Sequence, residues 1–182
     1  MRVLSVTAQK PCSTGSGVYL TEVVRSLAKM GVSQAVVAGV TREDRVDMPE
    51  GVTVYPVYFS SEKLPYPVVG MSDEMPYEST IYGQMNEEMV ERFKASFASS
   101  IRKAAEEFRP DLVICHHLYL VTSIAREVLP ECRVCGFCHN TDLRQMKKIP
   151  LEREYIRHRF RNWMRSMHCM RSRRKRLWRY IR

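Results

Sequence analysis

Three short runs in this chain carry side chains able to do polar chemistry. His139-Asn140-Thr141-Asp142 follows an apolar stretch, and so does the pair His116-His117. Thr14-Gly15-Ser16-Gly17 sets hydroxyls between glycines. A histidine can donate to a phosphate or a sugar hydroxyl near neutral pH, and a nearby aspartate can accept from hydroxyls or orient the imidazole. The plainer reading makes Asp142 a helix cap, His139 the close of a turn and His117 a satisfied polar residue at a strand end. Glycines let a backbone approach a ligand, and a helix start offers free N–H groups to an anion; here the plainer reading is a tight turn that binds nothing. Cys132, Cys135 and Cys138, followed by His139, have a spacing that suggests a metal. Side chains alternate along a strand, however, so Cys132 and Cys138 would face away from Cys135. A closed tetrahedral site needs four convergent ligands. Three small buried hydrophobes are expected instead, with no metal.

These residues need elements to hold them. Arg2 to Ala8 is a β-branched apolar run long enough for one buried strand. After the glycine loop, Leu20, Val23, Val24, Leu27 and Met30 recur at helical steps, and Gly31 sits where a helix C-terminal glycine belongs. Gln34–Val40 and Val52–Phe59 read as second and third strands. Pro56 cannot donate to a ladder, so the third strand is expected at an edge. Ser60 to Gly83 lacks clear periodicity and is rich in aromatics, methionines and prolines. It reads either as a lid over the core or as a wall of a substrate cleft. Met85, Met89, Phe93, Phe97, Ile101 and Phe108 mark a long amphipathic helix that Pro110 follows. Asp111–Cys115 is the fourth strand, Leu120–Leu129 a short helix and Arg133–Cys138 the fifth strand. The alternation predicts an α/β fold: a Rossmann-like parallel sheet in the order 3-2-1-4-5 with helices on both faces. In such a sheet the carboxyl edge gathers the Gly15 loop, His116-His117 and the His139 turn.

The 182 residues are enough for one domain, or for one domain and an appendage. No apolar stretch reaches the length of a membrane span and no signal-peptide pattern opens the chain, so a cytoplasmic location with reduced cysteines is expected. The net charge of +9 is uneven. Residues 155–182 hold eleven of the 29 Lys and Arg and no acid, which leaves 18 basic against 20 acidic residues before them. The body is thus slightly acidic, and the basicity belongs to the tail.

Taken in order, the glycine loop with its helix, Gly70-Met71-Ser72-Asp73-Glu74-Met75-Pro76-Tyr77, His116 to Ser123 and His139 to Met146 resemble the N-terminal half of a glycosyltransferase family 4 enzyme of GT-B architecture. The likeness covers about residues 1–156. It implies retaining transfer of a sugar from a nucleotide-sugar donor to an acceptor, with no cofactor and usually no bound metal. It also implies that this first domain mainly binds the acceptor while a second domain holds the nucleotide. By motif position, Gly15, Ser16 and Gly17 would approach the donor diphosphate and His139 would be catalytic, beside the reacting sugar. Asp73, His117, Thr141 and Asp142 would serve the acceptor side. Asn140 departs from the family's common glycine and is expected to fit a positive φ.

The expected organisation is an acceptor-side domain over 1–156, a basic tail over 157–182 and no donor domain. Read one nucleotide out of frame, codons for Trp163 to Ile181 can spell an acidic, helix-patterned segment like that which follows in the family. The tail is therefore expected to be out of frame and poorly ordered, and the chain to be inactive as a truncated product. The alternative is an α/β binding module whose basic C-terminal helix meets nucleic acid or an anionic membrane surface. In the first reading no specific nucleic acid is expected, and peripheral membrane contact stays open. A small nucleotide-binding protein would need a Walker-type lysine after the glycine loop, where Val18 and Tyr19 stand, or an acid closing the second strand, where Val40-Thr41 stands.

Overall fold

A computed structural model describes residues 1–164 of the chain. Five strands form a parallel sheet: β1 (Arg2–Thr7), β2 (Ser33–Val40), β3 (Thr53–Tyr58), β6 (Leu112–His116) and β7 (Val134–Phe137), in the order β3-β2-β1-β6-β7. The order equals the predicted one, because β4 (Val69–Gly70) and β5 (Thr80–Ile81) form a separate two-stranded piece within the long segment. The helices are α1 (Gly15–Lys29), α2 (Glu87–Phe108), α3 (Leu120–Val128), α4 (Asn140–Lys148) and α5 (Arg153–Met164).

The central strands are buried on both faces, as a parallel sheet requires. Val36, Ala38 and Val40 of β2 meet Leu20 and Val24 of α1, while Ala35 and Val37 join the larger core with Phe93, Phe97 and Ile101 of α2. Helix α1 ends where Gly31 adopts φ 71°, its N–H bonding to the Ala28 carbonyl at 2.9 Å while Val32 N–H reaches Leu27 at 3.1 Å. This is the left-handed stop that glycine takes without a Cβ penalty.

Strand β3 is the edge strand, where Pro56 was expected. Phe59 N–H bonds to Val40 O at 2.8 Å, so residues of that parity face β2 and Pro56 turns its missing donor outward. The long segment covers the core, as the first of its two readings has it. Leu64, Tyr66 and Val68 are buried in the main core, and the next residues run along the carboxyl rim of the sheet.

The boundary expected at 156 falls inside α5. Ile156 and Phe160 are both buried in the main core, so packed structure continues to at least residue 160. The expectations for the rest of the tail concern residues 165–182, which lie outside the described residues.

Candidate functional site

Each cleft element begins where a strand stops. β1 gives way to Ala8-Gln9 and then to α1, whose N-cap Thr14 accepts from Gly17 N–H at 3.1 Å. β6 ends at His116, and His117 follows with φ 72°, a backbone state that a bulky residue keeps only when its surroundings hold it there. β7 ends at Phe137, and His139 is the N-cap of α4. All three stops lie at the carboxyl edge of the sheet. Together with the 71–76 segment they enclose a cleft of about 510 Å³ lined by Gly15, Ser16, His117, His139, Asn140 and Thr141, with Gln9 and Thr14 beside them. Met71, Ser72, Glu74, Met75 and Pro76 form the opposing wall.

Asp142 organises the floor. Its carboxylate is fully buried, with Oδ1 2.5 Å from His117 Nδ1. Oδ2 accepts from Leu118 N–H at 2.8 Å and His139 N–H at 2.9 Å. Backbone and ring donors thus compensate a carboxylate that burial alone would penalise. On the far side of the imidazole, His117 Nε2 lies 2.8 Å from Ser16 Oγ and 3.1 Å from Gln9 Oε1. Ser16 Oγ in turn lies 3.0 Å from both Gln9 Oε1 and Thr14 Oγ1. The glycine loop and the start of α4 are therefore joined through one imidazole.

The neighbouring histidines are held neutral. Burial, and then the adjacent His117, lower the pKa of His139, and Nε2 of that ring is buried without a hydrogen-bond partner. His116 is more extreme: burial first, then His139 and His117, push it down to about 3. Neither of its ring nitrogens has a partner, and it packs against Phe137 at 5.5 Å between centroids. A neutral imidazole at His139 can exchange one hydrogen bond with an incoming hydroxyl without bringing a charge.

Gly15, Ser16, His117, His139 and Thr141 come together on the cleft. Gly17 does not line it. A Cβ there would stand 2.7 Å from the Lys10 carbonyl oxygen, so its bareness lets the loop pack against α1. Asp142 does not line it either, since its oxygens are taken by His117, Leu118 and His139; it positions the cleft residues from beneath, capping α4 as the plainer reading expects. Asp73 is exposed, forms an ion pair with Lys148 and is not among the lining residues; the carboxylate that lines the wall is Glu74. Asn140 lines the cleft as the first residue of α4 and does not have the positive φ expected of it. Sequence reasoning missed Gln9, 2% exposed at the end of β1. Its only signal is a polar side chain directly after a buried apolar run. Among the described residues no group of three His, Cys, Asp or Glu side chains is arranged to hold a metal ion, and no helix is long and apolar enough to cross a membrane.

The comparisons with known proteins bear on the family and the fold. A model of Glycosyltransferase Family 4 matches residues 13–176. No curated protein matches the chain in sequence. Among solved structures, sucrose-phosphate synthase from Thermosynechococcus elongatus is similar with a TM-score of 0.56 at 10% identity, over 87% of this chain and 39% of that one. UDP-GlcNAc 2-epimerase from Neisseria meningitidis, bound to UDP-GlcNAc, is similar with a TM-score of 0.51 at 15% identity, over 87% and 39%. A putative UDP-N-acetylglucosamine 2-epimerase from Listeria monocytogenes gives 0.53 at 10%, over 87% and 37%. At these identities the likeness is one of fold. The chain spans about two fifths of the length of these structures.

Proposed function

The chain belongs to glycosyltransferase family 4, and from that premise we propose that it is the N-terminal, acceptor-side domain of a retaining enzyme that moves a sugar from a nucleotide-sugar donor to an acceptor. The observation that carries this reading is the meeting of the Gly15 loop, His117 and the His139 turn on one cleft. The N–H groups at the start of α1 face an anion such as a diphosphate, and α1 carries no acid in its first turn to oppose one. Neutral His139 and its backbone steady the reacting sugar, while Glu74 and Thr141 face the acceptor. The Neisseria neighbour holds UDP-GlcNAc, and a nucleotide sugar is the donor class proposed here, with no cofactor and no metal. Half a cleft leaves a donor largely solvated. In this reading the chain alone binds donor weakly and does not transfer sugar.

Ligand-observed NMR with UDP, ADP and UDP-GlcNAc tests it. Saturable binding with a dissociation constant of about 1 mM, near −4 kcal/mol, is expected. Gly15→Val should abolish it, since Gly15 lines the cleft and a Cβ there meets no protein atom within 4 Å that would force the loop itself to shift. Absence of binding by the folded chain, or binding indifferent to Gly15→Val, overturns the reading. The alternative is a binding module served by the arginine-rich end. It gains if anionic vesicles or nucleic acid capture the chain with a steep salt dependence that disappears when residues 165–182 are deleted.

A further inference from the structure

The Ser16 hydroxyl sits among partners that sugar transfer does not call for. It lies 2.8 Å from His117 Nε2, and His117 Nδ1 lies 2.5 Å from a fully buried Asp142 carboxylate. Asp142 is held in turn by the N–H groups of Leu118 and His139. A hydroxyl, an imidazole and a buried carboxylate in line, each within hydrogen-bond reach of the next, are the parts of an activated serine nucleophile, recognised by geometry and not by sequence order.

The surroundings complete the set. With Nδ1–H donating to Asp142, Nε2 is an acceptor and can take the Ser16 proton. Gln9 Nε2 is buried without a partner, although the Gln9 amide lies 3.0 Å from Ser16 Oγ and 3.1 Å from His117 Nε2. With its amide turned end for end, that nitrogen donates to Ser16 Oγ and the stranded group is satisfied, while the lone pair of His117 Nε2 is left to the Ser16 hydroxyl. Capping of α1 uses the N–H groups of Gly17 and Val18. Those of Gly15 and Ser16 are left at the cleft, where a developing oxyanion would sit. Met71 and Met75 supply an apolar surface for an acyl group, and Ser16 is half-buried but open to the cleft.

We propose that Ser16 is an acylatable nucleophile and that the chain hydrolyses short-chain O-acyl esters in this cleft. Ser16 Oγ attacks the ester carbonyl carbon as its proton passes to His117 Nε2. The carbon–alkoxide bond then breaks, and the alcohol leaves with that proton. Water, deprotonated by the same nitrogen, attacks the acyl-serine; the acid is released and the proton returns to Ser16. Asp142 is a positioning residue throughout.

A fluorophosphonate probe and p-nitrophenyl acetate test this on the full chain. Peptide mapping should place the probe on Ser16; Ser16→Ala should abolish labelling, and His117→Gln should slow it by about 100-fold, the contribution of a general base. Cys12→Ser should leave it unchanged, since Cys12 bonds to Thr21 and does not line the cleft. Should His117→Gln fail to fold, Ser16→Cys gives a second reading: the thiol it introduces should react with iodoacetamide about tenfold faster than Cys12 in the same molecule. Competition by UDP should protect Ser16. Absence of labelling in folded protein, labelling that survives Ser16→Ala, or an introduced thiol that reacts no faster than Cys12 overturns the proposal.

Discussion

On the floor of the cleft, Asp142 is fully buried and holds one ring and two backbone N–H groups, while Ser16, Thr14 and Gln9 close the network from the other side. The opposing wall, residues 71–77, is held lightly. Gln145 Nε2 donates to Met71 O at 3.0 Å, Lys148 pairs with the exposed Asp73, and Lys10 lies 5.3 Å over the Tyr77 ring. The floor is rigid because its polar groups are buried and must be matched. The wall presents methionine and proline and has few directional bonds, although Met71 at its start is buried in the main core. The contrast becomes quantitative when each region is mutated in turn.

Asp142→Ala should do the most damage. It leaves the His117 ring, the buried Leu118 N–H and the part-buried His139 N–H without an acceptor, at a cost of about 3–5 kcal/mol. Urea unfolding measures it, and a cost below about 1 kcal/mol would remove the distinction between floor and wall.

His116 gives the next largest effect, through pH. Its pKa in the fold is about 3, below its ordinary value, so the unfolded chain binds a proton that the folded chain refuses. Stability contributed by the neutral ring is whole above about pH 6.5 and declines as pH falls toward 3. By about pH 5 the loss from this ring should be about 2 kcal/mol. It is read as the difference in pH dependence between the wild type and His116→Phe, which removes two unpartnered nitrogens and keeps a ring against Phe137. Parallel profiles would show that the ring is not kept neutral.

The glycines that share a loop should separate in the same way. Gly17→Ala drives a Cβ to 2.7 Å from Lys10 O, a backbone atom that cannot swing aside, and should cost about 1–3 kcal/mol. Gly15→Ala meets nothing within 4 Å and should stay within about 0.5 kcal/mol of the wild type. Equal costs in thermal melts would mean that the loop tolerates or resists side chains as a whole.

That division was not visible in the chain's letters, although the fold was. Strand order, the edge position of β3 and the glycine stop of α1 follow from hydrophobic period, Pro56 and Gly31, which act locally. Bringing Ser16, His117 and His139 to one rim follows from the parallel topology. Which acid faces the cleft does not. Asp73 and Glu74 are adjacent, and the ion pair with Lys148, 75 residues away, accompanies the outward placement of one. Asp142 likewise reads as a ligand group until its three partners, two of them backbone N–H groups, are seen to occupy it. Gln9 offers only a polar side chain after an apolar run, since the His117 ring it meets lies 108 residues away.

The smallest expected effects belong to the wall, and they decide whether it adapts. Gln145→Leu removes the bond to Met71 O from a nearly buried side chain and should cost about 1 kcal/mol. Asp73→Asn removes an ion pair whose side chains are 47% and 56% exposed, where solvent and salt screen the attraction, and should cost less than about 0.5 kcal/mol. Stability alone would not separate a loose wall from an irrelevant one. Amide hydrogen exchange does: either change should speed exchange in residues 71–77 while the N–H of Leu118 and His139 on Asp142 stay protected. If exchange at those two groups rises in step with the wall, the two sides of the cleft open as one unit, and the rigid floor facing an adaptable wall is not how this site is built.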